Sequence, residues 1–496
     1  MTRLTRGLLT FLLILGVGLG ATAQSANEPA VDRSAPIKTM VPHRNAVAFQ
    51  SSPAAASKQT RTLRGSFSGP PYKVGPTKTL TTTVPEAEEH IAVDPNNFKN
   101  VIGMISDFSL NGGFNTSKFS VSKNNGGSWK EGFVPLSGGM PATGDGQVWQ
   151  ANSDPVVAID KLGNVYLANL YIAVSGGNIT NDGYYVCVAK LSSGPKFKRS
   201  GCRPVKSETS QSTLLEDKEW IAADNSTSKL SGNVYASWTH FVDNTTSMIL
   251  FSRSVDHGVH WSKPIQINPA AQNGAIQGSQ VAVGSKGEVY VSYEVFFTGN
   301  QGQHMIAKST NGGVSFGTPA AQTPLFNNLT FCVDYRCNSF PALAVNPKTG
   351  FIYDVYTDQP GANSTAEFVR STTAGGLTFT APVKVNDSSK GQRLMPAVAA
   401  DSNGVVHMSW FDTRRSPTNP DLLDIFATFT RNNGSSFAPN ARANAKQITA
   451  SSGDFIGDYS GNGAGPNGKT GLAHPVWTSG GLNENGKMQS STLTVP

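Results

Sequence analysis

Ionisable side chains are scarce in this chain, 15% of its residues, and they recur at one kind of place. The starts and ends of short apolar stretches carry Glu88, Glu89, His90 and Asp107, then Asp154, then Asp217, Lys218, Glu219 and His240, then Glu294 and Asp358. Arg393, Asp412, Arg414 and Arg415 follow, and Asp454, Asp458 and Tyr459 end the series. Two carboxylates that flank a glycosidic bond can act as acid and as base or nucleophile when burial and mutual repulsion push their pKa values apart. Asp217, Glu219, Asp412 and Asp458 are the candidate acids, and Glu89, His90 and Lys218 the candidate groups for holding a polar substrate. Each also has a plainer reading. W-F-D-T-R-R, around Asp412, could be an ion-pair network at a rim, and Asp217 and Glu219 could hydrogen-bond a corner. His90 and His240 lack the H-x-x-x-H spacing of metal ligands, and no D-x-D-x-D-G loop appears. No cofactor is expected, although Asp carboxylates and loop carbonyls could build a structural calcium site.

The elements that would position these groups are repeats. Six phrases share one form, a short apolar strand, a turn at Asp, Asn or Gly, then an alternating strand with β-branched and aromatic residues: PVVAIDKLGNVYLANLY and QVAVGSKGEVYVSYEVF are two of them. With a degenerate seventh, their turns anchor at Asp94, Asp160, Asp224, Gly284, Asn346, Asp401 and Gly465, roughly sixty residues apart. A second phrase is the octet S-V-D-H-G-V-H-W (Ser254 to Trp261), which returns as S-K-N-N-G-G-S-W, S-T-N-G-G-V-S-F and T-R-N-N-G-S-S-F, and with Ala374 in place of Asx as T-T-A-G-G-L-T-F. An Asx side chain followed two residues later by Gly makes a tight corner between strands. Each unit therefore holds four short strands, and period-2 alternation without long amphipathic stretches excludes a helical fold. Four-stranded sheets that cannot bury both faces alone are stable as propeller blades. The expected fold is an all-β propeller of seven four-stranded antiparallel blades, six plus an irregular pair being the alternative. The last unit has room for only three strands, so a segment around Thr79 to Val84 is expected to close the ring.

The octets resemble the Asp-box, or BNR repeat, of sialidases and related glycan-active propellers, over nearly all the chain beyond residue 85. That resemblance makes Asn124, Asp256, Asn311 and Asn432 structural corner residues on the face away from the active site. It implies a glycoside hydrolase working at a funnel on the opposite face, with Tyr459 as nucleophile, Glu219 as its partner, and Arg393, Arg414 and Arg415 clamping a substrate carboxylate. The early Arg-Ile/Leu-Pro of sialidases is E-E-H here, and its nearest likeness is R-L-M-P at Arg393 to Pro396. A non-catalytic propeller binding a glycan or protein is the alternative.

Arg3 and Arg6, the apolar run Gly7 to Gly20 and Ala21-Thr22-Ala23 have the layout of a secretory signal peptide over 1–23, too short for a membrane span. Residues 24–60, rich in Ala, Ser and Pro, read as a flexible N-terminus before a propeller at 61–496. Export fits the cysteines, whose spacing suggests bridges Cys187 to Cys202, at the corner where the second unit lacks an octet, and Cys332 to Cys337. A net charge of +7 is spread without a basic stripe, which argues against a nucleic-acid partner. The expected product is a secreted monomer acting on a carbohydrate or glycoconjugate.

Overall fold

The computed structural model describes residues 63–496 except 110–115, 137–147, 176–177, 195, 199–200, 208–214, 243–245, 331–338 and 451–454. The signal-peptide and N-terminal expectations, the Cys332 to Cys337 pair and Asp454 lie outside the described residues. The chain forms a seven-bladed β-propeller. The inner strands are Glu86–Val93, Ala151–Ile159, Leu215–Ala223, Ile276–Val283, Ala342–Val345, Arg393–Ala400 and Gly461–Asn467. Each pairs antiparallel with the next strand in sequence, and further strands extend the blade outward. The apolar faces of adjacent blades close on each other: Ile102 and Met104 of blade 1 pack with Val157 and Leu167 of blade 2, and Tyr235 and Phe251 of blade 3 with Val281 and Val291 of blade 4. The core is thus a ring of inter-blade seams, which is why no blade could persist alone.

Ring closure differs from expectation in its register. Blade 7 supplies Gly461–Asn467, Thr470–Thr478 and the broken outer strand Met488–Ser490 and Leu493–Thr494. Lys73–Val74 pairs with Leu493–Thr494 and Lys78–Thr79 with Met488–Ser490, so the closing segment ends at Thr79 instead of starting there. Apolar alternation could not locate it, because these are two-residue strands separated by Gly75-Pro76-Thr77. The segment also runs further back. Phe67 bridges to Phe437 of blade 6, and Leu63–Arg64 lies parallel to Val383–Lys384 at the outer edge of blade 5. It forms a belt across three blades.

Each octet is a two-part fastener. In the first, Ser122 donates to Asn124 Oδ1 at 2.9 Å and accepts the Gly126 N–H, while Asn124 Oδ1 accepts the Ser128 N–H. Asp256, Asn311 and Asn432 make the same set. Ala374 has no side-chain acceptor, and that corner closes through the Thr372 N–H to the Thr378 carbonyl at 2.7 Å. The residue after the Asx is left-handed in all four intact octets, and it reaches the preceding blade: Asn125 Oδ1 accepts from His474 at 2.9 Å, and Asn433 Oδ1 from the Tyr353 hydroxyl at 2.6 Å. Gly434 has φ +83°, and a Cβ there would overlap the Phe368 ring of blade 5. Gly434→Ala is therefore expected to cost about 2–4 kcal/mol, from left-handed strain plus overpacking. Gly163→Ala, with φ +73° and open space around it, should show the strain alone. Urea unfolding of the two variants measures the difference. Blade 2, which lacks an octet, instead joins its third and fourth strands by the Cys187–Cys202 disulfide, the two cysteines standing opposite each other in the ladder.

Candidate functional site

A bulge interrupts the inner strand near its start in blades 1, 2, 3, 4 and 6. At each of these bulges one residue is left-handed: Glu88 (φ 66°), Asp154 (51°), Lys218 (60°), Gly278 (72°) and Met395 (47°). In blade 7 Gly457 (101°) lies just ahead of the inner strand. A left-handed non-glycine costs about 1–2 kcal/mol, so four of them at one level of the ring mark a region where the surrounding fold imposes the conformation. The effect is to turn these side chains toward the axis.

Lys218 is the centre of the arrangement. Its side chain crosses from blade 3 to blade 7, placing Nζ 3.4 Å from the centroid of the Tyr459 ring and 5.3 Å from that of Phe340. Nζ is buried and makes no hydrogen bond among the described residues. Burial lowers the Lys218 pKa, opposed by the charges of Asp458, Asp154, Glu88 and Asp217. A face-on cation over aromatic rings recovers about 2 kcal/mol of that desolvation, and the carboxylates contribute more. The Tyr459 hydroxyl donates to the Pro155 carbonyl at 3.2 Å, and burial, with Glu88 and Asp154, holds its pKa well above the usual phenol range. Glu219 is buried with no hydrogen bond among the described residues. Burial first, then Asp154 and Asp217, raises its pKa well above the carboxylate range and favours the neutral acid. Asp217 accepts from the Gln277 amide at 2.7 Å.

Beside this group lies a cavity lined by His90, Trp220, Gln280, Phe340, Asp458, Tyr459 and Asn462. Trp220 stands edge-on to both Tyr459 (centroids 6.1 Å apart) and His90 (4.9 Å). His90 Nδ1 accepts the Val157 N–H at 3.2 Å, and burial together with Lys218 lowers its pKa to about 3, so it is a neutral donor through Nε2. Both polar atoms of the Asn462 amide are without hydrogen-bond partners among the described residues. The site thus offers aromatic faces, a neutral imidazole, an amide and several carboxyl groups.

Of the residues expected from sequence, the axis brings together His90, Asp217, Lys218, Glu219, Asp458 and Tyr459. Glu89 is buried beside Glu88 and makes no hydrogen bond among the described residues, and burial raises its pKa well above the carboxylate range. Asp412, Arg393, Arg414 and Arg415 form a separate network. Arg393 donates to the carbonyls of Ser364, Ser388 and Gly391, with Nε 3.3 Å from Asp412. Arg414 donates through Nε and Nη2 to Asp412, pairs with Asp387 at 2.5 Å and stacks on Phe426 at 3.9 Å. Arg415, about half exposed, is 3.4 Å from Asp424. Sequence reasoning misses Trp220, Phe340 and Asn462, and it places Glu88 and Asp154 on the rim without a role. The available signal is the pair E-E, D-P, K-E, G-S or M-P standing immediately before each apolar run, where the bulges form.

No family model matches the sequence, and no curated protein matches it. Among solved structures the chain is similar to a protein from Dyadobacter fermentans (14% identity, 86% of this chain and 100% of that one, TM-score 0.45). It is also similar to a Hadza microbial sialidase (12%, 88% and 98%, 0.42) and to an ulvan lyase of polysaccharide lyase family PL25 (12%, 83% and 95%, 0.44). Among the described residues no group of three or more His, Cys, Asp or Glu is arranged to hold a metal ion, and no helix is long and apolar enough to cross a membrane.

Buried ionisable groups around the ring set the expected pH response of the fold. Glu86 is raised to about 7 and Glu367 to about 8, both first by burial, and burial also raises Glu219 well above the carboxylate range. His90 and His474, lowered to about 3 and about 4 by burial, act the other way only below the unfolded histidine value. Acids with raised folded pKa values contribute stability that is full below about 4.5 and lost as pH rises through 7 and 8. The unfolding midpoint is expected to fall between pH 6 and pH 8.5, a trend that differential scanning calorimetry reads directly.

Proposed function

We propose that the protein is a secreted carbohydrate-active propeller, a glycoside hydrolase whose reaction centre is the axial cluster around Lys218, Glu219, Asp458 and Tyr459. The observation that supports it most is the set of strained ionisable residues, Glu88, Asp154 and Lys218, turned inward from three consecutive blades beside an aromatic-walled cavity. Glu219, kept neutral by burial, can protonate a leaving glycosidic oxygen, while Asp217 or Asp458 provides the second carboxyl group of the pair. Trp220 and Tyr459 offer flat faces to a sugar ring, and Asn462 and Gln280 offer amides to its hydroxyls. The disulfide in blade 2 supports an oxidising compartment.

A sialoside substrate would need its carboxylate held by Arg393, Arg414 and Arg415. The first two are already bonded within the protein, which favours a glycan recognised by stacking and amides over one held by an arginine clamp. A panel of sialosides, neutral glycosides and uronate-containing polysaccharides tests this. Turnover should fall by about 10²–10⁴ in Asp458→Asn and Glu219→Gln, as expected for loss of acid or base. Asp412→Asn should lower stability and leave kcat nearly intact. Saturable glycan binding without turnover by any form would assign the axis to recognition instead.

A further inference from the structure

The turns that join the first and second strands of each blade lie at the far end of the inner strands from the bulges, on the face of the octets. In blade 1 the Asn125 N–H of the octet donates to the Lys99 carbonyl of this turn at 2.9 Å, and in blade 5 the Gly375 N–H donates to the Gly350 carbonyl at 2.8 Å. The turns also hold one another from blade to blade. The Asn96 amide donates to the Lys161 carbonyl at 2.6 Å, and the Lys161 N–H to Asn225 at 2.8 Å. Lys348 Nζ donates to the Asn403 carbonyl at 3.0 Å, and the Asn403 amide to the Gly468 carbonyl at 3.1 Å. An added Cβ at Gly287 or Gly350 would meet Ser228 or Ser285 of the preceding turn.

On this chain of turns stand Lys99, Lys161, Lys229, Lys286, Lys348 and Lys469, all exposed, one in every blade but the sixth. They are far apart in sequence and come together because the repeats stack. None forms an ion pair among the described residues, whereas Lys118, Arg393, Arg414, Arg415 and Arg442 all pair with carboxylates elsewhere. The acids of the same turns, Asp94, Asp160, Asp224 and Asp401, are buried and accept turn N–H groups. Asp256 and Glu288 are the partly exposed acids of these corners. Uncompensated positive charge is therefore gathered on this face. The face also carries apolar tips. Val255 and Leu162 are the two most exposed large hydrophobic side chains among the described residues, at 65% and 61%, and Val314 is 54% exposed. Leu162 follows Lys161 in its turn, and the two valines stand on the octets of blades 3 and 4. These corners abut: His257 Nδ1 is 3.7 Å from Asp160, and Arg253 donates to the Gly312 carbonyl at 3.3 Å.

We propose that the octet face docks on the surface of a lipid bilayer bearing anionic headgroups. Each unpaired lysine brought near such a surface strengthens binding about fivefold. The aliphatic tips fit the boundary between headgroups and acyl chains. Sugars and bases are gripped by aromatic faces, and the exposed tips here are aliphatic, which favours a bilayer over a polysaccharide or a nucleic acid. Docked this way, the axial site faces away from the membrane. The inference stands apart from the glycosidase reading.

Cosedimentation of the full chain, as exported, with lipid vesicles tests it. Binding should be strong on vesicles of equal parts phosphatidylglycerol and phosphatidylcholine and absent on phosphatidylcholine alone. It should be lost between about 0.1 and 0.5 M NaCl as the charges are screened. Lys99→Gln, Lys229→Gln, Lys286→Gln and Lys469→Gln combined should weaken it by about 10²–10³. Lys390→Gln, three residues ahead of the inner strand of blade 6 and so at the opposite rim, should leave it unchanged. Leu162→Ser with Val255→Ser should weaken it about tenfold. All these side chains are exposed, so every form should melt with the wild type. Undiminished binding by the combined lysine variant, a serine pair that binds as well as the wild type, or no binding to the anionic vesicles overturns the proposal. So does capture by a sulfated polysaccharide without capture by the vesicles, which would make the face a polysaccharide site.

Discussion

A chain shortened to begin at Pro85 is expected to melt more than about 10 °C below the full propeller, or not to fold at all. The removed belt touches blades 5, 6 and 7 in turn. Leu63–Arg64 extends blade 5, Phe67 meets Phe437 at 6.4 Å between ring centroids, and Lys73–Thr79 completes the outer edge of blade 7. Tyr72 is the largest single loss. Its buried ring packs at 4.8 Å on Phe429, and its hydroxyl lies 2.7 Å from His407 Nδ1. Leu80 fills the seam between blades 7 and 1 with Met488 and Ile105. Burying Tyr72 and Leu80 contributes about 2–3 kcal/mol each, and the strand hydrogen bonds about 1 kcal/mol apiece. The total approaches the 5–15 kcal/mol by which whole domains are stable. Tyr72→Phe gives a graded version: it keeps the ring and leaves His407 Nδ1 buried without its partner, at about 1–3 kcal/mol. Thermal unfolding of the three forms decides, and an unchanged midpoint in the shortened chain would show that the ring closes without the belt.

The blades could be read from the sequence because their determinants are local and repeated. An apolar run, an Asx turn and an alternating strand recur with each blade, and the Asx-Gly octets specify a corner through side chains four residues apart or fewer. The belt could not be placed as well, since its strands are two residues long and their partners lie hundreds of positions away. Nor do local patterns report the second role of the octets. Asn125 and Asn433 are corner residues by sequence, yet their side chains reach His474 and Tyr353 of neighbouring blades. At the axis, sequence identified which ionisable residues stand at strand starts, and blade order brings Lys218, Asp458 and Tyr459 together. What it could not give is direction. Arg393 opens its inner strand as Glu86 does, and neither reaches the axis: Arg393 donates through Nη1 and Nη2 to backbone carbonyls, and Glu86 accepts from the Thr81 hydroxyl and the Met488 N–H. The residues that do turn inward stand within the bulge, and a bulge is a property of paired strands.

Lys218→Met is expected to have the largest effect of any single substitution on the pH response of stability, together with a loss of turnover. Methionine preserves most of the volume against Tyr459 and Phe340 but removes the cation on which Asp458, Asp154, Glu88 and Asp217 act. Replacing a buried charge by an apolar group can be neutral or stabilising when its partners can also become neutral. At pH 5 the carboxyl groups around the gap can take up a proton, so urea unfolding should differ little from the wild type. At pH 8 the unfolded chain holds them all ionised, whereas the folded chain must either retain a proton against the solvent or tolerate adjacent uncompensated anions. A carboxyl whose pKa rises on folding loses stability as pH increases, by about 1.4 kcal/mol for each pH unit that separates its unfolded and folded values. If removing the ammonium raises one such carboxyl by about two pH units, the variant loses on the order of 3 kcal/mol relative to wild type between pH 5 and pH 8. Lys218→Gly separates the causes: it relieves the left-handed strain at φ 60° while also deleting the cation. Its stability at pH 5 should exceed that of Lys218→Ala, and its pH slope should match that of Lys218→Met. Parallel stability curves for Lys218→Met and wild type across this range would mean that the ammonium does not balance the acid cluster, and would remove the electrostatic basis for a reaction centre at the axis.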